Sequence, residues 1–114
     1  MQKSSFDFQP DLVTYEGETV LVCFEPEQVT ETIEEVERKY WMAYAVRVHQ
    51  PLNRSNIIDA IVTAAYPNDV MQAIVNNHLL DPTDEDHEAE FNEMQQWRAK
   101  AKAVAADVLE HTQS

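Results

Sequence analysis

The clearest pattern of hydrophobic and polar positions lies in residues 55–80, where two short segments carry the same apolar stripe. In the first, apolar side chains recur on one face of a helix with 3.6 residues per turn: Ile57, Ile58, Ile61, Val62 and Ala65. The second segment repeats this spacing: Val70, Met71, Ile74, Val75, His78 and Leu79. Between them stands Tyr66-Pro67, and the residue before a proline is disfavoured in the α region. The pattern therefore predicts two helices joined by a short connection.

A third, longer helix is predicted from residue 84 to about residue 110. Its apolar side chains follow one another at steps of three and four: Phe91, Met94, Trp97, Ala101, Val104 and Val108. Acidic residues come first and basic residues later, which is the order that the helix dipole favours. The stripe suits packing within the chain, and it equally suits an intermolecular helix bundle. Residues 111–114 are expected to fray.

Small polar residues mark where these helices are predicted to begin. Ser55 precedes the first stripe and is predicted to cap it. Asn68 or Asp69 is predicted to cap the second helix. Thr83, with Asp86 three positions later, is close to a capping box for the third helix.

The first fifty residues predict an antiparallel sheet. Residues 12–15 and 19–24 are rich in β-branched and aromatic side chains, and Gly17, the only glycine of the chain, lies between them. A glycine in a short connection between two such runs indicates a hairpin. Pro26 is expected to end or bend the second strand. Residues 1–10 are compatible with a further short strand or with a loose arm.

Residues 27–38 admit two interpretations, helix or strand. Val29, Ile33 and Val36 lie at helical spacing among several glutamates. Against a helix, this stretch is rich in β-branched residues, which lowers helix propensity. We therefore favour a strand over a helix here.

Residues 40–49 alternate strictly and predict the clearest strand of the chain. A strand of this length requires a long neighbour. We predict a ribbon in which residues 28–33 pair with residues 40–48. The charged turn at residues 34–39 then projects beyond the core, as a lever for a partner.

Together these elements predict the α+β class, with an N-terminal antiparallel meander or long hairpin followed by three α-helices. We expect one domain of residues 1–114, β-rich over 1–50 and helical over 51–114. The helices are expected to cover one face of the sheet or to pack beside it. With 44% hydrophobic residues, the chain has the composition of a folded protein.

The net charge narrows the classes of partner. Twenty-one acidic residues against eight basic ones give a formal charge of −13, which repels nucleic acid phosphate and anionic lipid. Residues 81–93 hold seven of the acids and no lysine or arginine. We therefore expect protein partners, among them further copies of the same chain. We expect neither direct nucleic acid binding nor membrane binding. An acidic surface also suits a DNA mimic that occupies a nucleic-acid-binding protein.

The motifs that would indicate metal binding or catalysis are incomplete in this sequence. Asp84, Asp86 and Glu88 imitate the first positions of a calcium loop, but Ala89 and Gln95 stand where the loop requires glycine and glutamate. The order His87-x-x-Glu90 is not the zinc-peptidase motif. The single cysteine, Cys23, lies in an apolar run typical of a buried thiol. We predict no catalytic residues, no metal and no cofactor.

Five large side chains are the candidate protein interface, because aromatic residues are frequent anchors in interfaces: Trp41, Tyr44, Phe91, Met94 and Trp97. The alternative for each of them is a place in the hydrophobic core. The sequence shows no basic segment followed by an apolar one, as in a secretory signal, and no apolar run of the length of a membrane span. The protein is therefore expected in the cytoplasm of a cell or in a virion.

Four segments carry a family resemblance: residues 43–48 (AYAVRV), 57–66 (IIDAIVTAAY), 71–77 (MQAIVNN) and 94–102 (MQQWRAKAK). In this order they resemble small proteins of phages and prophages of gut bacteria that are encoded among structural or tail genes. The step Trp97-Arg98-Ala99 is similar to the Trp-Arg-Ala-Tyr segment of phage tail-fibre assembly proteins, with Lys100 here in place of the tyrosine.

The resemblance implies a virion-associated or assembly role without enzymatic activity, and it transfers no functional residue. The expected function is therefore a non-enzymatic structural or tail-assembly protein of a phage or prophage that acts through protein–protein contacts. The alternative is an acidic binding module, including a DNA-mimic inhibitor.

Overall fold

The computed structural model describes residues 1–113 and has the predicted α+β class, with four strands followed by three helices. The elements are β1 Ser4–Phe6, β2 Val13–Glu16, β3 Thr19–Ile33, β4 Val36–His49, α1 Arg54–Ala65, α2 Asn68–Leu80 and α3 Glu85–Gln113. They group into two compact units, Met1–Leu52 and Asn53–Ser114. The strands lie in the first unit and the helices in the second.

The strands form one antiparallel sheet in the order β1-β4-β3-β2. The predicted hairpin between β2 and β3 is confirmed, since Glu16 pairs with Thr19 across a two-residue turn. Gly17 occupies the first turn position with φ of 77°, a left-handed conformation that glycine adopts without steric cost. The side-chain amide of Gln50 donates to the Gly17 carbonyl at 3.0 Å and so joins this turn to the end of β4.

Residues 27–33 and 36–38 form strands, so the ribbon is confirmed and the helical interpretation is excluded. The predicted register was wrong, because residues 28–33 pair with residues 36–41 and not with residues 40–48. The predicted turn at residues 34–39 was too long, because Ile33 pairs with Val36 and only Glu34 and Glu35 lie between them. Both glutamates have positive φ, 50° and 66°. The register follows from this turn: β4 extends back to Val36, and Gln28 pairs with Trp41.

An irregularity in β3 divides the ribbon from the base of the sheet. The register shifts between Phe24 and Glu27, where β3 has one residue more than β4. Glu25 adopts a positive φ of 53° there, and Pro26, which has no N–H to donate, follows it. Pro26 therefore bends β3 rather than ending it.

The helices begin at other caps than those predicted. Asn53 caps α1, its Oδ1 accepting a hydrogen bond from the Asn56 N–H at 2.9 Å, while Ser55 lies within the helix. Pro67 precedes α2, and among the described residues no side chain caps this helix. Asn68 and Asp69 are therefore its first residues and not its cap.

Asp84 performs the function that was predicted for Thr83. Its Oδ1 accepts hydrogen bonds from the N–H groups of Asp86 and His87, at 2.9 and 3.1 Å. Thr83 instead donates its hydroxyl to Asp81 at 3.1 Å. The helix continues through Gln113, beyond the predicted end and through most of the residues expected to fray; Ser114 lies outside the described residues.

Within the helical unit, α3 packs against both α1 and α2. Of the seventeen predicted stripe positions, eight are buried and seven are half-buried. The buried ones are Ile57, Ile61, Val62, Ile74, Met94, Ala101, Val104 and Val108. The indole N–H of Trp97 donates to the Ile61 carbonyl at 3.0 Å and joins α3 to α1. Val70 and Leu79 were placed on the buried stripe of α2, but they are 41% and 71% exposed. Ile74 is the one buried residue of α2, so α2 contributes less to the core than its pattern indicates.

Candidate protein-interaction surfaces

The outer part of the β3–β4 ribbon is the first candidate surface, and we call residues 28–41 the arm. β2 pairs with β3 only over residues 19–22, and β1 pairs with β4 only over residues 41–43. Over most of its length the arm is therefore a two-stranded ribbon with no third strand beside it among the described residues.

The register assigns the arm's side chains to two faces, because directly paired residues of an antiparallel ladder lie on the same face. One face carries three pairs: Val29 with Tyr40, Glu31 with Arg38 and Ile33 with Val36. We call Val29, Ile33, Val36 and Tyr40 the apolar row. The other face carries Gln28 with Trp41, Thr30 with Lys39 and Thr32 with Glu37, so it is mostly polar.

The apolar row continues a buried face of the sheet. Along β4, alternate residues share a face, which links Tyr40 and Val36 to the buried Val46 and Val48. Exposure increases toward the tip: Val48 is fully buried, Tyr40 is half-buried, and Ile33 and Val36 are 55% and 67% exposed. The row therefore ends in two exposed aliphatic side chains.

Charges surround the row unevenly. The Arg38 guanidinium lies 5.5 Å from the centre of the Tyr40 ring, a cation–π distance, and it stands opposite Glu31 on the same face. On the other face, Lys39 and Glu37 form an exposed ion pair at 3.8 Å. Glu34 and Glu35 occupy the turn itself. Within the arm, the face of the row thus holds one acid and one base, and the tip holds two acids. Glu27, the next residue toward the base on this face, forms an ion pair with Lys3 at 3.6 Å.

The five predicted interface residues are divided between the two units, with Trp41 and Tyr44 in the sheet unit and the other three in the helical unit. Met94 is 1% exposed and belongs to the core of the helical unit, so it offers no surface to a partner. Phe91 stacks on the imidazole of His78, with ring centres 4.1 Å apart, and Trp97 bonds to Ile61. These contacts show that at least part of each aromatic surface is used inside the unit.

The two predicted interface residues of the sheet unit lie on opposite faces. Tyr44 contacts the Phe24 ring, with centres 5.2 Å apart, and the Lys3 ammonium lies 5.3 Å from its ring centre. Trp41 is half-buried at the base of the arm and pairs with Phe6 of β1. Sequence reasoning missed Ile33 and Val36, the most exposed aliphatic residues of the arm. Their only signal was a position beside two adjacent glutamates.

The acidic segment of residues 81–93 is the second candidate surface. All seven of its acids are exposed except Asp84, which is half-buried. The pKa of Asp84 lies below its ordinary value, chiefly because its carboxylate accepts the backbone N–H of His87, with smaller contributions from the His87 charge and the Asp86 N–H. Acidic residues near the N-terminus of a helix interact favourably with its dipole, so the high density of negative charge here does not require a ligand.

Three side chains in this segment have ligand-type atoms close together. One atom each of Asp81, Asp84 and His87 lies within 4.8 Å of the others. Both carboxylates, however, already accept hydrogen bonds, Asp81 from Thr83 and Asp84 from two backbone amides. Helix capping therefore explains the position of Asp84, and the hydrogen bond with Thr83 orients Asp81.

The buried Cys23 has the environment of a structural thiol. It is 3% exposed, and burial raises the pKa of its thiol, as do the nearby charges of Glu16 and Asp11. A raised pKa reduces the thiolate fraction, and the thiolate is the nucleophilic form. The geometry gives Cys23 a packing function.

Comparison of the chain with protein-family models, curated proteins and solved structures gave no match. Of the described helices, none combines the length and the hydropathy that a membrane span requires.

Proposed function

We propose that this chain is a non-enzymatic assembly protein that acts through protein–protein contacts, with the arm as its contact surface. Its resemblance to small phage and prophage proteins suggests particle assembly as the process. The single observation that carries the proposal is the exposed end of the apolar row, Ile33 and Val36.

Two physical arguments support a partner for the arm. A two-stranded ribbon without a third strand or a packed face is marginally stable in water. Covering its tip would also gain free energy, because burying the exposed parts of Ile33 and Val36 is worth on the order of 1–2 kcal/mol each. A small apolar cluster with a polar surround is the arrangement of an interface anchor.

The proposal is tested by photo-crosslinking. A benzophenone amino acid replaces Ile33 or Val36, and in matched controls it replaces Thr30 or Thr32 on the opposite face of the arm. In cells that make phage particles, adducts to protein are expected from positions 33 and 36 and few from positions 30 and 32. Equal yields from both faces, or no adducts at all, would contradict the proposed role of the arm.

A genetic experiment addresses the process. If the protein serves phage assembly, deleting its gene from an inducible prophage lowers the yield of infective particles. The native chain then restores the yield, while the Ile33→Asp/Val36→Asp double variant does not. A deletion without effect on particle yield would exclude the assembly role.

The acidic segment supports a second candidate, an acidic module that occupies a basic, nucleic-acid-binding protein. The supporting observation is the run of exposed acids without lysine or arginine in residues 81–93. The test adds the chain to a complex of fluorescent duplex DNA with a basic nucleoid protein. Displacement of the DNA that is lost in a Glu85→Gln/Glu88→Gln/Glu90→Gln variant would favour this candidate; no displacement at a large excess would exclude it.

A further inference from the structure

We infer that a second copy of this chain binds the outer edge of β4 in the arm, so that two arms form one continuous four-stranded sheet. We call residues 36–40 of β4, on the side away from β3, the free edge. β1 pairs with β4 only over residues 41–43, so among the described residues no other strand occupies the free edge. The inference goes beyond the proposed function, because it uses an edge of the arm and leaves the face of the apolar row open.

The turn of the arm determines which backbone groups of β4 point outward. Ile33 and Val36 pair across a two-residue turn, and at such a turn the paired residues exchange both of their hydrogen bonds. Bonded and non-bonded pairs alternate along an antiparallel ladder, so the N–H and C=O groups of Glu37 and Lys39 face away from β3. An edge with unpaired groups of this kind is a template for a further strand.

One register pairs the free edge with itself. A two-fold axis perpendicular to the sheet at Arg38 makes the two β4 strands antiparallel and keeps their faces aligned. Glu37 of each copy then stands directly opposite Lys39 of the other, and their outward groups form two hydrogen bonds in each of the two pairs. This register uses the whole free edge, from the turn to the first residue that β1 pairs with.

The charges on the polar face are complementary in this register. Within one chain Glu37 and Lys39 form an exposed ion pair at 3.8 Å. In the dimer each of these charges also has the opposite charge directly across from it, which stabilises a sheet, whereas like charges in that position destabilise it. A slide of two residues in either direction places Glu37 opposite Glu37 or Lys39 opposite Lys39. Charge therefore favours the register centred on Arg38.

Arg38 lies on the axis, so it is the position where like charges meet. Its guanidinium lies 5.5 Å from the centre of the Tyr40 ring, so the side chain runs along its own strand toward residue 40. In two antiparallel strands these directions are opposite, and the two guanidinium groups therefore point away from each other. Each of them also stands across from Glu31 of its own chain, which offsets its charge.

The other face and the other edge agree with this choice. On the face of the apolar row, Val36 of each copy stands opposite Tyr40 of the other, an aliphatic–aromatic pair that stabilises a sheet. The two apolar rows become neighbours in one surface. The outer edge of β3 offers no comparable complement, because the charged residues of β3 are all acids: Glu25, Glu27 and Glu31.

The contact is small, so the association is expected to be weak and concentration-dependent. Interfaces below about 1,200 Å² of total buried area belong to transient complexes. Sedimentation equilibrium of the whole chain, up to about 1 mM, detects a complex with a millimolar dissociation constant. We expect a monomer–dimer equilibrium with no higher species, because a two-fold contact closes on itself.

A charge-exchange experiment tests the register. Glu37→Lys makes both positions of the polar face basic, and Lys39→Glu makes both acidic. Each variant alone is expected to dimerise at least about tenfold more weakly than the native chain, a change of about 1.4 kcal/mol. An equimolar mixture restores association, because each lysine of one variant stands opposite a glutamate of the other. The like charges persist within each chain, so restoration reports contact between chains.

Proline substitutions test the backbone contact. Lys39→Pro removes one outward N–H and no hydrogen bond to β3. It is expected to dimerise at least about tenfold more weakly than Lys39→Gln, which loses the same charge but retains the N–H. The matched control is Thr30→Pro, which removes an outward N–H from the other edge of the arm and leaves the dissociation constant within about twofold. Circular dichroism checks that each variant retains the fold.

A disulfide tests the position of the axis. In a Cys23→Ala background, Arg38→Cys places two thiols across a non-bonded pair whose Cα atoms are about 4.5 Å apart, within the range of disulfides. Oxidised glutathione is expected to convert this variant to a covalent dimer. Val36→Cys in the same background stands opposite Tyr40 and is expected to crosslink far less. Equal yields would overturn the register.

Two results overturn the inference as a whole: a native chain that stays monomeric up to about 1 mM, or a mixture of the charge variants that does not associate. Crosslinks from positions 33 and 36 to a different protein, together with a monomeric chain, would refute the second copy and leave the proposed function standing. A monomeric chain without arm crosslinks refutes both.

Discussion

Replacing the turn residues of the arm, Glu34 and Glu35, is expected to stabilise the ribbon. Both have positive φ, 50° and 66°, and the left-handed region costs residues with a Cβ roughly 1–2 kcal/mol each. A two-residue hairpin with positive φ at both positions is a type I′ turn, for which Asn-Gly is the preferred sequence. The perturbation is therefore the double variant Glu34→Asn/Glu35→Gly.

The net gain is smaller than the strain that is removed. Glycine loses about 0.5–1 kcal/mol more than alanine through the entropy of the unfolded chain, and asparagine retains part of the left-handed penalty. We therefore expect the arm to gain about 1 kcal/mol. Gly17, in the other hairpin, provides the inverse control: its φ is 77°, and a Cβ there would meet no atom within 4 Å. Gly17→Ala is thus expected to lose about 1 kcal/mol through backbone strain alone.

Amide hydrogen exchange measures this effect locally. A gain of about 1 kcal/mol in the opening free energy slows exchange of the arm's hydrogen-bonded amides about fivefold, and amides of α3 serve as an internal reference. All variants are compared at one protein concentration, because self-association would add protection of its own. Unchanged or faster exchange in the arm, with Gly17→Ala behaving as expected, would show that strain at the tip does not limit the stability of the ribbon.

Three further predictions concern the rest of the chain. Met94→Ala removes a side chain that is 1% exposed, so it is expected to cost about 2–5 kcal/mol of unfolding free energy by urea titration; a loss below 1 kcal/mol would contradict its place in the core. The pKa of Asp84 lies below the ordinary 3.8, so the stability of the native chain relative to Asp84→Asn is expected to be constant well above pH 4 and to fall as the pH drops through the folded-state pKa. Thermal unfolding of both proteins at each pH measures this difference in stability. A difference that does not change down to pH 2 would refute the prediction. Cys23 is expected to react with a thiol reagent at pH 8 far more slowly in the native chain than in guanidinium; equal rates would show that the site opens freely.

The helices and the first hairpin could be predicted because their signals are local. A stripe such as Ile57, Ile61 and Val62 indicates a helix face that packs against the core, and Gly17 fits a turn position with positive φ. The caps were less predictable, since several side chains within a few residues can each accept the same amide hydrogens. Asp84 and Thr83 are neighbours of this kind, and only the backbone path selects between them.

The predicted interface residues were chosen by a criterion that does not separate a core from an interface. Size and aromatic character identify side chains that need burial, but they do not say whether the same chain or another chain buries them. Met94 finds its contacts inside the helical unit. Ile33 and Val36, which are smaller, remain exposed because the two-residue turn places them at the end of a ribbon without a third strand.

The bulge at Glu25-Pro26 explains why the sequence pattern of β3 does not reveal the apolar row. Before the bulge the row's face takes even-numbered residues, such as Val22; after it the face takes odd-numbered ones, such as Val29 and Ile33. A search for unbroken alternation through residues 19–33 therefore finds two short patterns out of phase. In β4, which has no extra residue, the alternation continues from Val48 to Val36.

The extra residue in β3 is also an argument that the alignment of the apolar row has a function in this protein. Without it, Val29 and Ile33 would lie on the face opposite Val22, and Tyr40 and Val36 would stand across from polar residues. The bulge thus costs a ladder interruption and a left-handed glutamate, yet it aligns the aliphatic residues of both strands on one face out to the tip. An arm that served only as a solvated loop would need no such alignment. The cost is understandable if the aligned face is buried in the working protein, which is the condition that crosslinking from positions 33 and 36 examines.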